Sequence, residues 1–212
     1  MPRQLIPRPT LQRLPAYLNY LRSLPPDTRS ISATAVAAAL GLNEVQVRKD
    51  LSAASKSGGR PKTGYTVGIL IRELEEFLGY TSIKNAVLVG VGRLGGAMLA
   101  FTGFEERGVH IIAAFDNDPA KIGTEIGGVP IFDIARLESV CRSRGARIGI
   151  LTTSPLPAQE LCERMIGAGI EAVWNFSTAH LEVPEQIIVR NEDLSVSLAM
   201  ISRELEERNH QK

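Results

Sequence analysis

No apolar run in this sequence approaches the roughly 20 residues that a membrane-spanning helix needs, and Met1 to Pro9 holds no apolar core of the signal-peptide kind. The chain is therefore expected in the cytoplasm, with no membrane partner. Cysteine is nearly absent. Cys141 and Cys162 stand alone in helical contexts without metal-ligand spacing, which argues against a disulfide framework and against a zinc or other metal site. Aromatic residues make up 5% of the chain, its four tyrosines all fall at or before Tyr80, and histidine occurs three times. Acid–base chemistry built on Tyr or His thus has few candidates beyond Tyr80. A strong net charge is missing as well, since the 212 residues sum to +1.

That near-zero sum conceals a division. Residues 1–80 carry eleven Lys/Arg against six Asp/Glu, and residues 81–212 carry thirteen against seventeen. A basic module that meets a polyanion, joined to a domain that does not, has this asymmetry, although a solvated surface could carry the same excess.

The stretch from Asn85 to Pro119 organises the rest. A short apolar run, Ala86 to Val89, meets Gly90, Gly92 and Gly95, and a helical pattern opens behind them. In that context the spacing is a dinucleotide fingerprint. Gly90 allows the tight turn, Gly92 lets backbone N–H groups approach a pyrophosphate, and Gly95 lets helix and sheet close together. A second apolar run, Val109 to Phe115, ends in Asp116, placed to accept hydrogen bonds from an adenosine ribose diol and to repel a 2′-phosphate. The expected cofactor is NAD rather than NADP.

At the other end of the chain, Thr10 is placed to cap a helix with Leu11, Leu14, Tyr17, Leu18 and Leu21 on one stripe, kinked by Pro15 and stopped by Pro25-Pro26. Ser32 caps Ala33 to Leu40, which ends at Gly41, and Asn43 caps Glu44 to about Ser55. This is a helix-turn-helix pattern. Val47, Leu51 and Ala54 face inward, leaving Gln46, Arg48, Lys49 and Asp50 on or near the outside; the first three are the candidates for base and phosphate contacts. Asp50 is expected to orient the arginine or its neighbour. Ser57 to Val67 has the turn residues and strand formers of a wing, and Arg60, Pro61 and Lys62 are slim and basic enough for an A·T-rich minor groove. Val67 to Leu78 is amphipathic and is expected to connect two domains.

From Asn85 onward, strands expected near 86–90, 109–115, 129–132, 147–152, 170–174 and 186–190 alternate mostly with helices, which specifies a parallel sheet with right-handed crossovers. Ligands bind at the carboxyl ends of such strands. The edges concerned hold Gly90 to Gly95, Asp116 to Lys121, Thr152, Thr153, Ser154 and Pro155, and Asn175 to Ser177. Thr153 to Pro155 is expected toward the nicotinamide, or else forms a plain strand-to-helix turn. The last helix has Leu194, Leu198, Ile201 and Leu205 on one face, which can pack on its own sheet or on a second subunit.

Taken together, the chain resembles the bacterial redox-sensing repressors named Rex over nearly its whole length. The resemblance rests on Gln46-Val47-Arg48-Lys49-Asp50-Leu51, Arg60 to Val67, Gly90-Val91-Gly92-Arg93-Leu94-Gly95, Phe115-Asp116-Asn117-Asp118-Pro119 with Lys121, Asn175-Phe176, and Val189-Arg190-Asn191-Glu192-Asp193-Leu194. It implies an α/β protein with a winged helix-turn-helix domain over 1–80, a Rossmann-like NAD(H)-binding domain over 81–190 and an exchanged dimerisation helix over 191–212. It further implies a homodimer that binds double-stranded operator DNA and leaves it when NADH replaces NAD+, with Asp193 in an interdomain polar network. Two departures bear on that network: Phe101 stands where a tyrosine is common in the family, and Asn19 where some members have an arginine.

Two other classes remain in view. An NAD-dependent oxidoreductase with an accessory DNA-binding domain would want a proton donor near the reacting carbon. His110 starts a strand and His210 is in the tail, which leaves only His180, so no catalytic residue is assigned. A repressor sensing another nucleotide, such as a CoA ester, would use the same fold, although Asp116 suits a free ribose diol.

Overall fold

The computed structural model describes residues 7–61 and 63–210. Its contacts divide the chain between Ser82 and Ile83 into two units.

In the first unit, the stripe Leu14, Tyr17, Leu18 and Leu21 is buried along α1 (Arg8–Arg22). Pro at the first turn suits this start, because an N–H there has no helical partner to lose. The expected cap at Thr10 is corrected: Thr10 lies inside the helix, and its hydroxyl donates to Asp50 at 2.9 Å. Helix α1 runs on through Pro15 and ends ahead of the two prolines. Ser32 caps α2 (Ala33–Leu40) by accepting from the Ala35 N–H, and Gly41 closes it at φ +64°. Asn43 caps α3 (Glu44–Ala54), accepting from the N–H groups of Val45 and Gln46.

Two short strands close this unit, β1 (Ser30–Ile31) and β2 (Tyr65–Thr66), paired antiparallel. Before β2 the chain folds back on itself, Arg60 and Gly64 exchanging backbone hydrogen bonds of 2.8 and 2.9 Å. Gly64 is required there: its φ is +71°, and a Cβ would strike the Ile31 carbonyl. Helix α4 (Val67–Leu78) was expected as a connector, but Leu70 and Leu74 are buried in the same core as α1, so it is part of this unit.

The second unit is one seven-stranded sheet. Its strands are β3 (Lys84–Val89), β4 (Val109–Asp116), β5 (Glu125–Ile126), β6 (Val129–Asp133), β7 (Ile148–Leu151), β8 (Ala172–Asn175) and β9 (Ile188–Asn191), in the order β5-β6-β4-β3-β7-β8-β9. All neighbours run parallel except β5 with β6. The order reverses between β3 and β7, which opens a crevice at their carboxyl ends.

Alternation along β3 explains why both faces are covered. Val87 and Val89 join the cluster made with α6 (Leu137–Arg144) and α7 (Ala158–Gly167), whereas Ala86 and Leu88 join the one made with α5 (Arg93–Leu99). The β5–β6 hairpin was not expected; Gly127 and Gly128, both at positive φ, turn it. Neither β4 to β6 nor β8 to β9 is joined by an α-helix, since Pro119, the glycines and Pro184 interrupt those segments. Helix α8 (Leu194–His210) ends the unit with Val196, Leu198, Met200, Ile201 and Leu205 all more than half exposed. Among the described residues, no helix is long and apolar enough to cross a membrane.

Candidate nucleotide and nucleic-acid sites

The glycine turn follows β3 directly. Gly90 takes φ +96°, and a Cβ on it would lie 2.7 Å from the Thr153 methyl. A Cβ on Gly95 would strike the Gly90 carbonyl, so α5 closes on the turn only because that side chain is missing. Gly92 differs, since a Cβ there meets nothing within 4 Å and would project into open space over the turn. A backbone cradle with room for a pyrophosphate has this form.

A cavity of about 410 Å³ lies beside the turn, at the carboxyl ends of β3, β4 and β7. Val89, Phe115, Ile134 and Leu161 give it an apolar floor, and Asp116, Asn117, Lys121, Thr153, Ser154 and Arg164 give it a polar rim. Asp116 is 9% exposed. Its Oδ2 accepts from the Val91 N–H at 2.7 Å and from Lys121 Nζ at 3.3 Å, and its Oδ1 accepts from the Asp118 N–H at 2.9 Å. Burial alone would raise this carboxyl, but those three donors outweigh it and hold the group below its usual range. A carboxylate offers about four acceptor positions, so Oδ1 keeps one for a ribose hydroxyl. The Thr153 hydroxyl, buried on the cavity wall, has no hydrogen-bond partner among the described residues. An orphaned donor beside an apolar floor fits a polar ligand with an aromatic base.

Three expectations need correction here. Of the stretch expected toward the nicotinamide, Thr153 and Ser154 share the cavity of Asp116 with Thr152, and Pro155 lines neither this cavity nor the next. The reason is the neighbouring positions of β7 and β3, which put the β7 loop against Gly90 and bond Thr152 Oγ1 to the Gly90 carbonyl at 2.7 Å. Asn175 is fully buried, its amide donating to Ala179 O and Asn191 Oδ1 and its oxygen accepting from Ser177, so it shapes the loop from beneath and touches no ligand space. Val91 is buried too, and its N–H is spent on Asp116.

A second cavity of about 410 Å³ is lined by Leu94, Phe176 to His180, Asn191 to Asp193 and Ser195. It shares the α5 start with the glycine turn, Arg93 and Leu94 being the first residues of that helix. Asp193 caps α8, accepting from the Ser195 N–H at 2.8 Å; the Ser195 hydroxyl and N–H hold its carboxyl below the usual range. Phe101, half exposed, meets Phe104 edge-on at 5.1 Å; Phe104 meets Trp174 at 5.8 Å, and Trp174 meets Phe176 on the cavity wall at 4.6 Å. Leu198 and Ile201 are exposed on α8, and the side chain of Leu194 lies outside what is described.

In the first unit, Arg48, Lys49 and Gln46 are exposed on α3, and Arg48 pairs with Glu44. Arg48, Arg60 and Pro61 line one groove of about 430 Å³ with Ser32, Thr34 and Ser52, while Lys62 lies outside the described residues. Asp50 was expected on or near the outside, orienting the arginine of its own helix or that arginine's neighbour. It is 2% exposed and pairs with Arg13 instead, because position 50 falls on the stripe of Val47, Leu51 and Ala54. Thr10, Arg13 and Tyr17 were not foreseen as its partners; the available signal was a tyrosine and a threonine on an otherwise apolar stripe.

Comparison with known proteins agrees with both units. A family model described as a CoA binding domain matches residues 81–179, and one described as a putative DNA-binding protein N-terminus matches residues 5–52. The redox-sensing transcriptional repressor Rex of Treponema denticola is 41% identical over 203 residues, covering 95% of this chain and 96% of that one. Rex of Bacteroides fragilis is 40% identical over 201 residues, covering 94% and 91%. A crystal structure of RSP in complex with β-NAD+ and operator DNA is similar with TM-score 0.90 at 32% identity, covering 97% of this chain and 95% of that one. RSP in complex with β-NADH is similar with TM-score 0.86, again at 32% identity and covering 97% of each chain. With two-fifths of its residues identical across nearly the full length of such relatives, the chain belongs to the Rex family of redox-sensing transcriptional repressors.

Proposed function

We propose that this protein is a redox-sensing transcriptional repressor and not an enzyme: a cytoplasmic homodimer that binds an A·T-rich inverted-repeat operator and leaves it when NADH replaces NAD+. The observation that carries the reading is the glycine turn, open over Gly92 and flanked by the orphaned Thr153 hydroxyl, in a chain that also holds a helix-turn-helix unit. Residues 1–80 read DNA through Gln46, Arg48, Lys49, Arg60, Pro61 and Lys62. Residues 81–190 hold the ADP half of either nucleotide on Gly90, Gly92, Arg93, Leu94 and Gly95, with Asp116, Asn117, Asp118 and Lys121 at the ribose and Thr152, Thr153 and Ser154 around the base. Residues 191–212 join two subunits, for which the exposed apolar face of α8 is the support.

The two nucleotide forms differ by a hydride and a positive charge on the nicotinamide. They shift a conformational equilibrium only by their differential affinity, and a near-complete switch needs about 5.5 kcal/mol. Asp193 and Ser195 of the second cavity, with Phe101 at the end of the aromatic chain, are the groups we assign to sensing that difference. Phe101 has no hydroxyl and Asn19 no charge, so the polar network that the resemblance implies is rewired here. The relatives support this reading, being named as repressors and seen with NAD+, NADH and operator DNA.

The test is operator binding at fixed salt, with NADH titrated in and NAD+ as the control. Release by NADH alone is expected. Gly92→Trp fills the open space over the turn and is expected to abolish that release while leaving DNA binding intact. A second reading follows from the match to a CoA-binding model, since CoA shares its ADP with NAD; CoA and acetyl-CoA added in the same titration are expected to release nothing.

A further inference from the structure

Gln46 occupies the third position of α3, three residues after its cap Asn43. That spacing would let a glutamine reach back to the N–H of its cap residue. Its side chain turns the other way: Nε2 donates to Asp50 Oδ1 at 3.1 Å, one turn along the helix. Asp50 is in turn held from α1. Arg13 donates to both carboxylate oxygens, from Nε to Oδ2 at 2.7 Å and from Nη2 to Oδ1 at 3.0 Å, and Thr10 and Tyr17 add hydroxyl donors at 2.9 and 2.8 Å.

An ionised carboxylate accepts and never donates. Gln46 therefore has to present its nitrogen to Asp50, since the reverse would set oxygen against oxygen. One Nε2 hydrogen is used inward. The other hydrogen and the whole of Oε1 stay on an exposed side chain near the start of α3, where recognition helices meet base edges. That free edge offers one donor beside one acceptor. Adenine complements it in the major groove, through N7 and the N6 amino group, whereas guanine shows two acceptors there.

We propose that Asp50 is a positioning residue that fixes the orientation of the Gln46 amide, and that Gln46 thereby specifies adenine at one base pair of each operator half-site. The assignment rests on the DNA-reading function proposed above. Asp50 itself touches no base, because its five donors already exceed the acceptor positions it has.

The experiment is competitive binding of the intact protein to an inverted-repeat operator in which each half-site base pair is replaced in turn. Wild type is compared with Gln46→Ala, Gln46→Glu and Asp50→Asn. Gln46→Ala is expected to lose roughly tenfold to a hundredfold of discrimination at one A·T pair and to leave the others unchanged. Gln46→Glu has no donor for Asp50 and its carboxylate is repelled from it, so it is expected to lose the adenine preference at that pair as the alanine variant does. In Asp50→Asn the new amide can face the glutamine either way, so discrimination at the same pair falls while overall affinity for degenerate DNA holds.

Unchanged base preferences in Gln46→Ala would overturn the assignment. So would an Asp50→Asn protein that binds every sequence equally weakly with a lowered melting temperature, since that is a purely structural role. If Asp50→Asn does not fold, the two Gln46 variants decide. Failure of the wild type to bind any operator would overturn the DNA-reading function itself and the assignment with it.

Discussion

Each unit buries one carboxylate and holds it below the usual range, yet the two are held by different means. Asp50, 2% exposed, is met by side chains from two helices, while Asp116, 9% exposed, is met by two backbone N–H groups and one lysine. The first arrangement welds α1 to α3 and uses every acceptor position. The second staples the tip of β4 to the glycine turn and leaves a position open, next to a threonine hydroxyl with no partner among the described residues. One polar centre is complete as it stands and the other waits for a ligand. The difference separates a group that fixes a surface from one that helps to form a binding site.

The largest expected effect is on the completed centre. Asp50→Ala leaves Arg13, Tyr17 and Thr10 without their acceptor, and removing one member of a buried pair costs about 3 to 5 kcal/mol. Arg13 keeps access to water, its side chain being 26% exposed, so the lower end is expected. Calorimetry should show the first unit melting early while NADH binding by the second unit is unaffected. Loss of both together would mean that the two centres are not independent.

Tyr17 provides the next test, without mutation. Burial first, and then the bond to the Asp50 carboxylate, pushes its hydroxyl up to about 12. In the unfolded chain it titrates near 10. The folded state therefore holds the proton longer, its stabilising contribution is full below about pH 10, and about 2 kcal/mol is lost as pH rises from there through about 12. Asp50 acts at the other limit: its folded carboxyl is held low, so its contribution is present above about pH 4 and fades as pH falls through the folded value. Denaturant unfolding of wild type and Tyr17→Phe along an alkaline series should show the wild type alone losing this increment.

Local periodicity made most of the first unit legible. The caps at Ser32 and Asn43 and the bounds of α2 and α3 follow from residues within a few positions of one another. What was hidden is contact between helices: nothing near Asp50 in sequence announces Arg13, which lies thirty-seven residues away. The second unit repeats the pattern. Its glycine turn was legible because each glycine answers a local steric demand. The contact of the Thr152 loop with the Gly90 turn, and the burial of Asn175 beneath its own loop, are set by strand neighbours far off in sequence. The β5–β6 hairpin was missed because two residues are too few to show alternation.

A smaller effect is expected at Asp116. Asp116→Ala frees the Val91 and Asp118 N–H groups, which lie at a cavity rim that water reaches, so the cost in stability is about 1 to 2 kcal/mol. If the open Oδ1 position serves a ribose hydroxyl, NADH affinity also falls about tenfold, measured by fluorescence titration. A loss of stability with NADH affinity intact would reduce Asp116 to a loop staple and remove half of the comparison.

The smallest effect has the opposite sign and tests the comparison most directly. Thr153→Val replaces the orphaned hydroxyl by a methyl of nearly the same shape. A buried donor without a partner costs about 1 to 3 kcal/mol, so removing it should raise the stability of the ligand-free protein by about 1 kcal/mol. A substitution that stabilises the free protein and weakens NAD(H) binding is the behaviour of a site strained for its ligand. Thermal melts with and without saturating NADH separate the two terms: the free protein should melt higher than wild type, and the increment added by NADH should shrink. Should the variant melt lower without ligand, the hydroxyl has a partner in solution, and the second unit is as complete as the first.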